Sequence, residues 1–243
     1  MRTVADVQPD RNAAGKFFEE LKQHLNNRIS PSEVREWIQK EKEGAGPTGK
    51  EYEGLFIDKF VLPAIPEYLG KALGLSPKDE RVRGAFLAES DLAKKNQLTS
   101  GSPISAKKYL FTKVFGANSK SVVESWWGDS GKGATSQNCP DWAFRDPCPH
   151  TIFEGKFFRQ GGKEAARTQL VSGIYQCFYY RAHPYAPEIG KHPAWDYEYA
   201  CLFAYDASAN GSLVEAWATL NKRVKDACWD TANIFVIVLP REK

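Results

Sequence analysis

Residues 140–158 read PDWAFRDPCPHTIFEGKFF, and the closing segment TIFEGKFF at 151–158 decides the fold. In a β-strand, side chains two apart point to the same face. Ile152, Glu154, Lys156 and Phe158 therefore share one face, and Phe153, Gly155 and Phe157 share the other. A carboxylate and an ammonium stand side by side among large apolar neighbours that thin the water around both. DWAFR at 141–145 reads as a short strand and DPCP as a turn, so TIFEGKFF is the returning strand of a hairpin.

The segments beyond this hairpin read as alternating helices and strands. Helical spacing runs over 163–181, strand alternation over 197–205, a helix over 211–228 with NGS at its start, and a buried strand over 233–239. On the other side, 13–27 carries Phe17, Phe18, Leu21 and Leu25 at helical spacing. Residues 31–43 form a charged helix with Ser30 as its cap and Pro31 in its first turn. GAGPTG breaks the chain. Helical periodicity resumes over 50–62, short helical pieces follow over 63–104, and 106–127 reads as mostly helical before the polar loop GDSGKGATSQN. The chain is thus α/β, with a mixed central sheet flanked by helices and an added N-terminal helical region. The expected division is 1–45 for that extension and 46–243 for the main domain.

The chain has 243 residues, 42% hydrophobic and 26% charged, an ordinary globular balance. Its net charge of +3 permits an acidic partner without requiring one. No apolar run approaches the roughly 20 residues that span a bilayer, and MRTVADVQPDRN has no apolar core of a signal peptide. Five Cys without a dense framework read as reduced thiols, and a cytoplasmic location is the expectation.

Asp141 opens the first hairpin strand and Glu154 lies within the second. Adjacent strands run about 5 Å apart, so a suitable register brings the two carboxylates together. Two carboxylates with a backbone carbonyl and water make a hard oxygen site suited to Mg²⁺, with Mn²⁺ as a substitute. Lys156 on the same face can orient or help deprotonate a water and can stabilise charge on a phosphate.

Pro140-Asp141 followed by Glu154-Gly155-Lys156 resembles the PD-(D/E)XK motif of the restriction-endonuclease-like nuclease superfamily. The element order from about residue 50 to 239 is also similar to that superfamily's core. The resemblance implies that Asp141 and Glu154 hold a divalent metal and that Lys156 assists the attacking water. It further implies a Glu on the helix before the sheet as a third metal ligand, for which GKEYEGLF at 49–56 supplies Glu53, with Glu51 second. A polar residue on the helix after the motif is implied as well; Gln169 is the candidate, with Gln176 and Tyr180 behind it. The implied activity is Mg²⁺-dependent endonucleolytic cleavage of DNA, in restriction or phage defence; cutting both strands of a duplex with one site per chain favours a homodimer, by symmetry with the substrate. Alternatives are a repair or recombination nuclease of the same fold and a non-catalytic nucleic-acid-binding module. No small-molecule cofactor is expected.

Other signals carry less. GDSG at 128–131 lacks the His and Asp context of a serine protease, and Lys132 is followed by Gly, which fails the phosphate-loop pattern. Lys132 remains a residue that could meet a backbone phosphate. Cys139, Cys148 and His150, with His183 and His192, match no usual zinc spacing. Trp126, Trp127, Tyr175, Phe178, Tyr179 and Tyr180 could stack on bases, although aromatics at helical spacing more often pack inward.

Overall fold

The computed structural model describes residues 10–43, 51–88, 141–144, 147–182 and 198–239. The helix expected over 106–127, the loop with Lys132, and Cys139, His183 and His192 lie outside these residues. So do the side chains of Glu51, Tyr179 and Tyr180.

The described elements run α1 (Arg11–Arg28), α2 (Pro31–Glu43), α3 (Glu51–Phe56), α4 (Ile65–Leu73), α5 (Glu80–Gly84), β1 (Phe86–Ala88), β2 (Trp142–Phe144) and β3 (Thr151–Phe158). They continue with α6 (Lys163–Ala182), β4 (Tyr199–Asp206), α7 (Ser212–Ala218), α8 (Lys222–Asp226) and β5 (Ile234–Leu239). The strands form a five-stranded sheet in the order β1-β2-β3-β4-β5. β1, β2 and β3 pair antiparallel, while β3, β4 and β5 run parallel. The mixed sheet expected from the alternation of elements is present.

Its faces are sorted by the period-two rule. Trp142, Phe144, Phe153, Phe157, Tyr199, Phe203 and Tyr205 bury against α1 to α4. Ala143, Ile152, Phe158, Ala200, Leu202 and Ala204 bury against Ala166, Leu170 and Cys177 of α6 and Leu213 and Ala216 of α7. The first face is aromatic: Trp142 stacks on Phe153 at 4.9 Å and Phe56 on Phe157 at 4.4 Å between ring centroids. Such offset pairs add to area burial. Helices α1 and α2, set apart by sequence as an extension, belong to this same core through Phe18, Leu21, Leu25 and Trp37. Ser30 accepts from the Glu33 N–H at 3.4 Å, as its capping position requires.

Three elements differ from the sequence reading. The helix expected over 50–62 is regular only to Phe56. It widens over Ile57–Val61, tightens over Leu62–Ala64 and continues as α4. Pro63 is the cause: it offers no N–H, and its ring crowds the carbonyl of the preceding turn. The helix expected over 211–228 is interrupted, because the Asn221 side chain accepts from the Arg223 N–H at 2.8 Å and caps a fresh start at Lys222. β1 falls within a region expected to be helical; three residues are too few for alternation to register.

Candidate active site at the open edge of β3

The register settles how Asp141 meets Glu154. Trp142 pairs with Phe153 and Ala143 with Ile152, so Asp141 falls opposite Glu154 and its N–H donates to the Phe153 carbonyl at 2.9 Å. The described pairing of β2 goes no further along β3. Beyond it, the Asp141 side chain occupies the β3 edge: the Gly155 N–H donates to Asp141 Oδ2 at 2.7 Å, so a carboxylate takes the place of a strand there.

Glu53 reaches this edge from α3. Tyr52 and Phe56, one helical turn apart, face the core. Glu53 lies about 100° further round the helix and meets Lys156, whose Nζ donates to Glu53 Oε1 at 3.2 Å and to Glu154 Oε1 at 2.5 Å. Glu154 is 4% exposed and Lys156 8%, so the apolar flanks desolvate both as their strand positions imply.

Two glycines make the approach possible. A Cβ on Gly155 would overlap Ile57 Cδ1 and stand 3.2 Å from Asp141 Oδ2. On α6, a Cβ on Gly173 would press on Leu202 and come within 3.3 Å of Lys156 Cγ. Cys177, one turn on, is a buried thiol pushed up by burial and then by the charge of Glu154. Neither Gly173 nor Cys177 was singled out by the sequence. The spacing of Gly173 and Cys177, one turn apart behind an E-x-K strand, was the available signal.

The charges do not balance. Asp141, Glu154 and Glu53 surround one ammonium. Burial alone would pull Lys156 down, but Glu154 and Glu53 outweigh it and hold the lysine protonated, above its ordinary value. The surplus falls on the acids. Burial and then Asp141 push Glu154 up to about 8, against the pull of Lys156. Glu53 is also raised, chiefly by burial, with Lys156 opposing and Asp141 adding.

Gln169 lies on α6, one turn before Gly173, and its buried Oε1 has no hydrogen-bond partner among the described residues. It lies on the same helix as Gly173 and Cys177. Gln176 is on the same helix. His150 contributes a backbone carbonyl that accepts from the Glu198 and Tyr199 N–H groups.

The donors of Asp141, Glu154 and Glu53 are hard oxygens with surplus negative charge, which suits Mg²⁺ in kind. Among the described residues, no three His, Cys, Asp or Glu side chains stand ready to close around an ion; Glu53 and Glu154 are turned to Lys156 instead. No described helix is long and apolar enough to cross a membrane. No protein-family model, curated protein or solved structure matches this chain. The chemistry of the site therefore rests on its own residues.

Proposed function

We propose that the chain is a metal-dependent nuclease of restriction-endonuclease-like fold that hydrolyses phosphodiester bonds in DNA, in a restriction or phage-defence setting. One observation carries this reading. The β2–β3 register sets Asp141 opposite Glu154, and Lys156 is held between Glu154 and Glu53 in a desolvated cluster short of positive charge. The antiparallel β1-β2-β3 run followed by α6 and parallel β4 supports it, being the element order that the resemblance implies.

In this reading Asp141 and Glu154 hold the metal, with Glu53 across Lys156. When bound, the ion polarises the phosphate and lowers the pKa of a water. Asp141 is fixed by the Gly155 N–H and so presents a defined carboxylate. Lys156 keeps its proton between two acids and faces the phosphate as a positive donor where negative charge develops. The aromatic core beneath β3 keeps the strand rigid, which holds these groups in relative position.

Plasmid incubated with the purified protein tests the proposal. Cleavage with MgCl₂ or MnCl₂ that EDTA abolishes, and that Lys156→Met lacks, is the expected result. Discrete bands mark site-specific cutting and a smear marks non-specific cutting. Wild-type protein that leaves double- and single-stranded DNA intact with either metal overturns the nuclease reading.

A further inference from the structure

Arg159 follows β3 directly, three residues after Lys156. Its guanidinium carbon lies 3.6 Å from the centroid of the Tyr52 ring, the spacing of two flat groups in contact. Tyr52 is itself buried and braced from the side by Trp37 of α2, centroid to centroid 5.6 Å and inclined by 66°. The next residue along α3 is Glu53, which binds Lys156. Trp37, Tyr52 and Arg159 thus form a ladder that ends beside the acidic cluster.

Stacking fixes the plane of a guanidinium without using its in-plane N–H donors. The described arginines Arg28, Arg81 and Arg167 each pair with a carboxylate. Among the described residues, Arg159 has no carboxylate within ion-pair distance, although carboxylates are in surplus nearby. It is half-buried, positioned, and has its donor fork available for an anion with paired oxygens.

Resting on the nuclease reading, we infer that Arg159 grips a non-bridging phosphate of the nucleic-acid backbone beside the one held at Lys156. Three residues separate the two backbone positions by about 10 Å, and Tyr52 under Arg159 is followed directly by Glu53 on Lys156, so Arg159 engages a neighbouring phosphate and sets the position of the nucleic-acid strand across the site. It is a binding and positioning residue, and Trp37 and Tyr52 tie helix α2 to that task.

Anisotropy of a fluorescein-labelled 20-base-pair duplex in EDTA, over roughly 50 to 200 mM KCl, reads the contact without any cutting. Arg159→Met should lower the slope of log Kd against log salt by about 0.9 and weaken binding about tenfold. Arg159→Lys should restore the slope but not the full affinity, since a point charge replaces the fork. In the Mg²⁺ cleavage assay, Arg159→Met should raise KM and leave kcat unchanged. An unchanged slope and KM in a cleaving enzyme overturn the inference and leave the nuclease reading standing. A wild-type duplex complex whose slope falls in Arg159→Met, with no cutting by either protein, supports the contact and sinks the nuclease. Wild-type protein that neither binds nor cuts removes both.

Discussion

Two buried acids lie on adjacent strands and do opposite things. Asp206 ends β4 with 0% exposure. Its Oδ1 accepts from the Ser208 N–H and hydroxyl at 3.0 and 2.6 Å, and its Oδ2 from the Leu213 and Val214 N–H groups at 2.8 and 3.0 Å. It is the remote cap of α7, and every contact stabilises its charge. Glu154, on β3, has an ammonium at 2.5 Å but two other acids acting on it. A buried carboxylate whose lone pairs all meet donors is part of the framework. One held near other acids with too little positive charge has a ligand or a proton still to take up.

The widest separation between the two should appear in activity. Glu154→Gln and Lys156→Met are each expected to lower plasmid cleavage by on the order of 10³-fold, with Asp141→Ala alongside them. Lys156→Arg should also lose most activity, because a wide planar cation replaces a compact one between two carboxylates. Asp206→Asn should cut as wild type per folded molecule. Equal losses at Glu154 and Asp206 would erase the distinction.

Dependence on pH sharpens it. Glu154 is raised from 4.5 to about 8 in the folded protein. A raised group contributes stability that is fully present below its unfolded value and is lost as pH rises through the folded one. Glu53 shifts the same way. Lys156 is raised above 10.5, so its contribution is intact throughout this window. Metal-free protein should therefore lose on the order of 3 kcal/mol between about pH 5 and 8. Glu154→Gln should flatten most of that slope. Urea unfolding in EDTA across this range measures it, and a wild-type curve that is level or rising contradicts the surplus-charge account.

Next comes the cost of emptying the framework acid. Asp206→Ala leaves four donors without their acceptor and should cost about 3 kcal/mol. At neutral pH Glu154→Gln, by contrast, should leave the metal-free protein as stable as wild type or more so. Urea midpoints of both variants at one pH give the answer.

The sequence made Glu154 legible and left Asp206 silent. TIFEGKFF carries its own phase, and E-x-K interrupts an apolar run, so the strand, its faces and the hairpin could be read directly. Thr151–Phe158 is the observed strand. The partners of Asp206 lie across a loop and at a helix start, and no periodic pattern links an acid to backbone N–H groups. Glu53 was reachable only through the resemblance, since its placement depends on Tyr52 and Phe56 turning α3 against a sheet distant in sequence. The ladder of Trp37, Tyr52 and Arg159 joins three separate segments, and the boundary drawn near residue 45 cut across it. The break at Asn221 is a local side-chain cap, which apolar spacing does not register.

The smallest effects belong to the two glycines that serve these acids, and they separate by cause. Gly211, before α7, has φ +67° and lies open in front of Asp206 Oδ2 at 4.0 Å. Its constraint is the backbone, so Gly211→Ala should cost about 1 kcal/mol with no change in cleavage. Gly155 has no such torsion, and its constraint is space: a Cβ would overlap Ile57 Cδ1 and crowd Asp141 Oδ2 at 3.2 Å. Gly155→Ala should cost about 2 kcal/mol through overpacking. It should also lower cleavage, because Asp141 and Ile57 must both move. Ile57→Val removes the Cδ1 atom. Alone it should cost about 1 kcal/mol, yet combined with Gly155→Ala it should recover stability relative to the sum of the two. The same Ile57→Val change combined with Gly211→Ala should be additive. A four-variant urea series with plasmid rates on the same preparations measures this. Additivity at both glycines would mean that Ile57 does not limit Gly155.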